Sequence, residues 1–361
     1  RDNEKPLALL FTQILRLCRK AGLIRVGVVA LDGTKIKANA ALGANRTHDS
    51  IEAEVRKMLE EAKAADEEED QRYGKDKRGD ELPDGMRRRE DRIRRLKECK
   101  EQLEAEASRQ AEEQRKKIQE RAREERQRGK KLRGRKPNAP NDQPDEEAKA
   151  NITDPESRIM KTRSGYVQGY NAQAAVTEDQ IIIAAELTDE ANDVGSLHPM
   201  LSACRDNLKD VGITERMGDV LADAGYWSEA NAKRRRGRPS TELWIATTKD
   251  WKQRKAMREQ PPPRGRIPNS MSARDRMERK FLTQRGRTLY QKRSCTVEPV
   301  FGQVKHVRGA DRFMRRGKSA CASEWKLICA THNLLKLWRA RLKSLGAEAA
   351  RTFAGPSWAP V

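Results

Sequence analysis

The sequence predicts a mixed α/β fold, a sheet flanked by helices, interrupted by a long and highly charged helical hairpin. Three observations carry this. Segments that read as strands recur at residues 26–31, 166–176, 180–187, 219–222 and 243–246, the first a short continuous apolar run with β-branched residues. Stretches with apolar residues at helical spacing alternate with the later runs. Between about residues 50 and 130 the pattern changes to dense charge with a thin apolar stripe.

Taken in order, residues 7–20 (LALLFTQILRLCRK) place Leu10, Ile14 and Leu17 on one helical face. Residues 26–31 read as a buried strand that stops at Asp32-Gly33, with residues 34–38 extending it as a hairpin. In the charged segment Ile51, Val55, Met58 and Ala62 recur at i, i+4, i+7, and Ile93, Leu96, Leu103 and Ile118 continue the stripe. Gly74, Gly79, Pro83 and Gly85 divide it into two arms of an antiparallel hairpin. Residues 129–150 are a polar linker with the composition of a mobile segment. Two strands follow, joined at Glu178-Asp179, then a helix at 195–208 with Leu197, Leu201 and Leu208 on one face. A strand at 219–222 ends at Asp223. Ser228 is placed to cap a helix through Arg235, and 243–246 is a further strand. Helices near 297–308 and 323–342 close the chain, the second with Trp325, Ile328, His332, Leu335 and Trp338 on a stripe. Without the insertion the order is strand, strand, strand, helix, strand, helix, strand, helix, which is that of an RNase H-like fold. Fold-level analogy says nothing by itself about chemistry.

The 361 residues suffice for one large or two ordinary domains. The division read here is 1–49 for the first helix and strand, 50–150 for the hairpin and linker, 151–343 for the rest of the α/β domain, and 344–361 for a tail. A net charge of +21 calls for a polyanionic partner. Its location is informative. Residues 51–150 hold 29 Lys/Arg against 28 Asp/Glu, whereas residues 224–361 hold 32 against 10, so the excess belongs to the C-terminal part and points there to nucleic acid. A solvated basic face is the plain alternative, but such faces usually mix signs. The longest apolar run, near residues 181–185, is far short of the roughly 20 residues of a membrane span, and a secretory leader pattern is not visible. Six cysteines without CxxC pairing and four scattered histidines argue against a disulfide framework or zinc ribbon, and fit a reducing cytoplasm.

Three acids stand out. Asp32 and Asp223 each follow a short buried strand, where α/β sheets open onto a ligand crevice. Glu298 begins a helix in TVEPVFGQVKHVRG, with Pro299 suited to the first turn. Glu298, Gly302 and Lys305 share one face of that helix, and Val300, Val304 and Val307 another. Carboxylates gathered together favour hard divalent cations, and two such ions roughly 4 Å apart can drive phosphodiester cleavage. Each acid also has an ordinary explanation. Asp-Gly is a common turn, Asp223-Ala-Gly225 can be one too, and Glu is favoured at helix N-termini. The combination with strand ends and a basic flank is what favours chemistry.

The segments VALDGTKIKANA, GYVQGYNAQAAV, VLADAGYWS and YQKRSCTVEPVFGQVK occur in an order that resembles the DDE-type transposases of bacterial insertion sequences, the group with a long insertion in an RNase H-like catalytic domain. The resemblance runs from about residue 7 to 343. It implies Asp32, Asp223 and Glu298 as ligands of two Mg²⁺ ions, with Mn²⁺ as a substitute. A Tyr-Arg-Glu-Lys signature maps to Tyr290, Arg293, Glu298 and Lys305, implying Tyr290, Arg293 and Lys305 as holders of DNA phosphates. The spacing from Arg293 to Glu298 is one residue longer than usual, so Lys292 competes for the Arg role, and Arg308 extends the same basic block. It further implies cleavage at terminal inverted repeats, joining to target DNA, a homodimer on DNA and a cytoplasmic, nucleoid-associated location. Members of the group carry an N-terminal helical DNA-binding region before the first Asp, and this sequence, with only about thirty residues there, is expected to lack it. Three other readings compete. They are a non-catalytic DNA-binding remnant, a stand-alone RNase H-like nuclease, and a coiled-coil scaffold that accounts for the insertion alone.

Overall fold

The structure is a computed structural model, and it describes residues 4–73, 84–232, 241–248, 250–268 and 270–353. Along the chain these form α1 (Glu4–Lys20), β1 (Val28–Lys37), β2 (Asn45–Thr47), α2 (His48–Tyr73), α3 (Asp84–Arg128), β3 (Lys149–Asn151), β4 (Arg158–Thr162), β5 (Gly165–Thr177), β6 (Ile182–Thr188), α4 (Leu197–Asp210), β7 (Asp219–Ala222), α5 (Glu229–Ala232), β8 (Glu242–Ile245), α6 (Trp251–Glu259), α7 (Ala273–Leu282), α8 (Gln284–Thr296), α9 (Glu298–Gly302) and α10 (Lys318–Phe353). They divide into two compact units, one of residues 1–38 with 160–361 and one of residues 39–159.

The first unit is built on a mixed sheet. β6 and β1 flank β5 in antiparallel pairing, and β7 and then β8 continue from β1 in parallel. Three antiparallel strands followed by two parallel ones is the RNase H-like arrangement. Residues 168–177 of β5 and all of β7 are buried, as expected where helices cover both faces of a sheet. α10 packs on β6 and on α1, and α4 packs on β6. Polar pins fix these helices to the sheet. Asn333 of α10 exchanges two hydrogen bonds with the Ile182 backbone, both 2.8 Å, and Trp325 donates its indole N–H to Gln173 O at 2.9 Å. The buried face of α1 is Phe11, Ile14, Leu15 and Cys18, with Leu17 outside. On α10 it is Cys321, Trp325, Cys329, His332 and Asn333, with Trp338 outside. Both differ by part of a turn from the stripes read in the sequence.

Asp32 does not end its strand. β1 runs unbroken through Asp32-Gly33, because β5 supplies an antiparallel partner for every residue from Val29 to Lys37. What ends beside Asp32 is the parallel ladder, since β7 pairs only with Val28–Leu31. The expected hairpin at 34–38 is therefore a continuation of the same strand. Residues 251–296, which the sequence left without secondary structure, carry α6, α7 and α8. The expected helix at 297–308 breaks after Gly302, where Arg308 N donates to Gln303 O, five residues back, in a π-type turn. α10 extends to Phe353. Ser228 Oγ accepts from Asn231 N at 3.0 Å and starts α5. The expected continuation to Arg235 lies outside the described residues, as do Gly74, Gly79 and Pro83.

In the second unit α2 and α3 run antiparallel around Ile51, Leu96, Cys99, Leu103 and Ala150, with Val55 and Met58 against them. Charges pair across the seam, Lys100 to Glu52 at 2.5 Å and Arg92 Nε to Glu54 at 2.8 Å. The short β2–β3 ribbon closes one end, where Cys99 Sγ donates to Asn151 O. The segment after α3 is held rather than loose. Arg121 donates to the carbonyls of Leu132 (2.7 Å) and Arg135 (3.0 Å), and Glu125 accepts from Leu132 N.

Candidate active site

Register creates the site. Leu31 pairs with Ala222 as the last residues of the β1–β7 ladder, so Asp32, inside β1, and Asp223, just past β7, stand at the same level on neighbouring parallel strands. Strands lie about 4.8 Å apart, which makes the two carboxylates neighbours. The burial of β1 changes at this point from a closed run, Val28–Leu31, to half-buried residues, Asp32–Lys35. Each Asp is steadied locally, since Gly33 N donates to Asp32 Oδ1 at 2.9 Å and Gly225 N to Asp223 Oδ1 at 2.7 Å.

Alternation along β1 sorts the surroundings into two faces. On the face of Asp32 and Thr34 lie α8, α9 and the π-type turn. Arg293 Nη2 donates to Asp32 Oδ2 at 2.7 Å while its Nη1 lies 3.5 Å from Glu298 Oε1. Lys305 Nζ donates to Thr34 Oγ1 (3.2 Å) and Lys35 O (2.9 Å). On the face of Gly33 and Lys35 lies Asp193, just before α4. Its Oδ1 accepts from Asn171 Nδ2 at 2.7 Å and Gln173 Nε2 at 2.8 Å. Tyr226 donates its hydroxyl to Gln173 Oε1, completing a buried polar layer beneath Asp32 and Asp223.

Burial drives the electrostatics. Desolvation raises the Asp32 carboxyl to about 7; Arg293 opposes this, and Asp223 adds to it. Burial works to lower Arg293, but Asp32, Tyr290, Asp223 and Glu298 together outweigh it and hold the guanidinium above its ordinary value. Tyr226 is pushed well above the usual phenol range by burial, then by Asp193, Asp32 and Asp223. Burial lowers Lys305 and Arg308.

The structure thus brings Asp32, Asp223, Arg293, Glu298 and Lys305 to one end of the β1–β7 pair. The other expected DNA contacts have other partners, although Tyr290 also acts on Arg293. Lys292 reaches Glu178 at 2.6 Å, Arg308 donates to Ile328 O and Thr331 Oγ1 on α10, and the Tyr290 ring packs edge-on against Phe281. Among the described residues no three His, Cys, Asp or Glu side chains form a group that could hold a metal ion. The Arg293 guanidinium bridges Asp32 and Glu298. The donor chemistry nevertheless suits a hard divalent cation, with carboxylate oxygens from Asp32 and Asp223 and a half-exposed Glu298 (59%) held by Arg293.

Asp193, Asn171, Gln173 and Tyr226 were not singled out in the sequence. The available signal was topological. β6 runs parallel to β1, so the turn after it, which carries Asp193, lies at the same end of the sheet as Asp32.

An RNase H-like sheet with two aspartates at one end of its parallel pair defines a class of α/β domain suited to phosphodiester chemistry. Residues 257–338 match the family model described as transposase DDE domain, which bears out the resemblance to DDE-type transposases. The matched segment contains Tyr290, Lys292, Arg293, Glu298, Lys305 and Arg308, and does not include Asp32 or Asp223. The comparisons with curated proteins and with solved structures gave no match. Among the described residues no helix is long and apolar enough to cross a membrane.

Proposed function

We propose that this chain cuts DNA at the inverted-repeat ends of an insertion sequence and joins the freed 3′ ends to target DNA, working as a homodimer on DNA at the nucleoid. The observation that carries the reading is the shared level of Asp32 and Asp223 on neighbouring parallel strands, with Glu298 one guanidinium away from Asp32. These three side chains would hold Mg²⁺ or Mn²⁺, as two ions. Bound there, divalent ions supply Lewis acidity and a deprotonated water at neutral pH.

The chain's own residues do the rest. β1 and β7 fix two carboxylates rigidly, as a site on strands should. Glu298, at the start of a short helix, supplies an adjustable third. Arg293 holds Asp32 and Glu298 in place of a cation, and on their release presents a planar fork of donors suited to a phosphate. Lys305, on the Asp32 face of β1, offers a second positive group to the same strand of DNA. Stabilisation of charge on the phosphate by these groups is positioning and electrostatics, without a covalent enzyme intermediate. Contact of Tyr290, Lys292 or Arg308 with DNA requires each to leave its present neighbour.

The test is cleavage of end-labelled duplex by Asp32→Asn, Asp223→Asn and Glu298→Gln. Each should lose roughly a thousandfold or more in rate while binding DNA nearly as wild type does. Normal cleavage by one variant removes that residue from the site. Wild-type protein that binds DNA but never cuts it with Mg²⁺ or Mn²⁺ is a DNA-binding remnant, and one that cuts but never joins is a nuclease.

A further inference from the structure

We infer that Asp193 is a positioning residue that holds the Asp32 and Asp223 carboxylates at their common level from the reverse face of β1. The inference rests on the proposed function above for its catalytic consequence, and on geometry alone for the positioning itself. Asp193 lies on the face of Gly33 and Lys35, with its Oδ1 4.0 Å from Lys35 Nζ. The groups around Asp32, namely Arg293 and Lys305, lie on the other face. Pleating therefore separates Asp193 from Asp32 by the thickness of the strand, and it acts through its neighbours rather than on a substrate.

Two glycines make this contact possible. A Cβ on Gly33 would collide with Gln173 Nε2 and would lie 2.6 Å from Asp193 Oδ1 and 2.8 Å from Asn171 Oδ1. A Cβ on Gly225 would lie 2.7 Å from Asp193 Oδ2 and 2.8 Å from Asp223 Oδ1. Real Cβ atoms do not approach so closely. The residue after Asp32 and the residue two after Asp223 thus both lack a side chain where Asp193 fits. One carboxylate fills both gaps, with one oxygen against each. Those same glycines donate the N–H groups that fix Asp32 Oδ1 and Asp223 Oδ1. Asp193 is in turn locked by Asn171 and Gln173, and Gln173 by Tyr226, so its position is set by β5 and by the turn after β7. Its side chain is 16% exposed, as a support beneath a crevice should be.

The experiment compares Asp193→Ala and Asp193→Asn in the full chain. Asn keeps the shape and the acceptor that Asn171 and Gln173 use. In Asp193→Ala, amide hydrogen exchange in peptides containing Gly33 and Gly225 should speed up about tenfold or more, while the mid-sheet peptide around Val220 stays protected. Asp193→Asn should restore most of that protection. Where wild type cleaves DNA, Asp193→Ala should lower kcat about a hundredfold, the scale of a 1 Å misplacement, with DNA affinity within about twofold, and Asp193→Asn should recover at least a tenth of the wild-type rate. Unchanged exchange at Gly33 and Gly225 overturns the inference, as does exchange that rises equally everywhere, unchanged kcat, or an Asn variant as impaired as Ala. Wild-type protein without cleavage refutes the function proposed above and leaves the exchange measurement to decide on Asp193.

Discussion

On the function proposed above, Arg293 stands where a divalent cation would be held, and its environment explains why. Asp32 is 16% exposed and Arg293 12%, and a buried carboxylate without a counter-charge is costly enough to stay protonated. The guanidinium offsets that cost, and on the proposed reading a divalent ion held by Asp32 and Glu298 would displace it. Arg293→Gln should therefore lower the melting temperature of the metal-free protein, and Mg²⁺ or Mn²⁺ should raise it by more in the variant than in wild type, since a ligand stabilises most where it has no competitor. An equal or smaller metal-induced shift in Arg293→Gln would mean that Arg293 and the ion do not share a place. Of this site the sequence shows the acids that follow apolar runs, because a strand end and a helix start leave local patterns. It does not show that Arg293 bridges two of them across more than 260 positions of chain. Nor does it mark Asp193, whose meaning comes from two missing Cβ atoms on other segments. Long-range contacts of this kind have no periodicity to read.

At the scale of elements, β5 decides several outcomes that local sequence could not. Its 13 residues give β1 a continuous partner, which is why an Asp-Gly dipeptide that reads as a turn stays extended. α7 and α8 are rich in Arg, Lys and Gln, so their apolar residues are too few for a stripe. Met277 and Leu289 are nevertheless buried, and Ser272 and Thr283 cap the two helices by accepting from Asp275 N and Gly286 N. Those caps were the readable signal. The α2–α3 pair shows the opposite case, a thin stripe that does suffice, because its centre is a small closed cluster. Leu96 is fully buried there, and Leu96→Ala should cost about 2–5 kcal/mol within residues 39–159. Hydrogen exchange is the measurement, with faster exchange confined to α2, α3 and β3. Spread of the effect to β1 and β7 would show that the two units unfold as one.

On the proposed function, the distribution of charge over the whole molecule governs how DNA would be held. Neutralising a phosphate releases condensed counterions, and each contact contributes about −0.9 to the slope of log K against log salt for duplex DNA. Residues 51–150 are almost balanced while residues 224–361 carry 32 Lys/Arg against 10 Asp/Glu, so an approaching duplex meets a net attraction mainly from the C-terminal part. Part of that positive charge is already committed, with Arg285 on Asp219 and Glu242, Lys280 on Glu242, and Arg293 on Asp32. The slope should therefore reflect fewer contacts than the raw count of basic residues suggests, and should depend on exposed side chains such as Arg264, Arg266 and Arg312. Replacing these three together by Gln should make the slope shallower by about two to three. The same triple change at exposed Arg95, Arg123 and Arg126 of α3 should alter it by less than about one, because neighbouring acids already balance them. Salt titrations of DNA binding on the two triple variants and wild type decide the matter. Equal loss from both sets, or a slope indifferent to the C-terminal set, would mean that DNA follows the insertion and that net charge is a poor guide to its path.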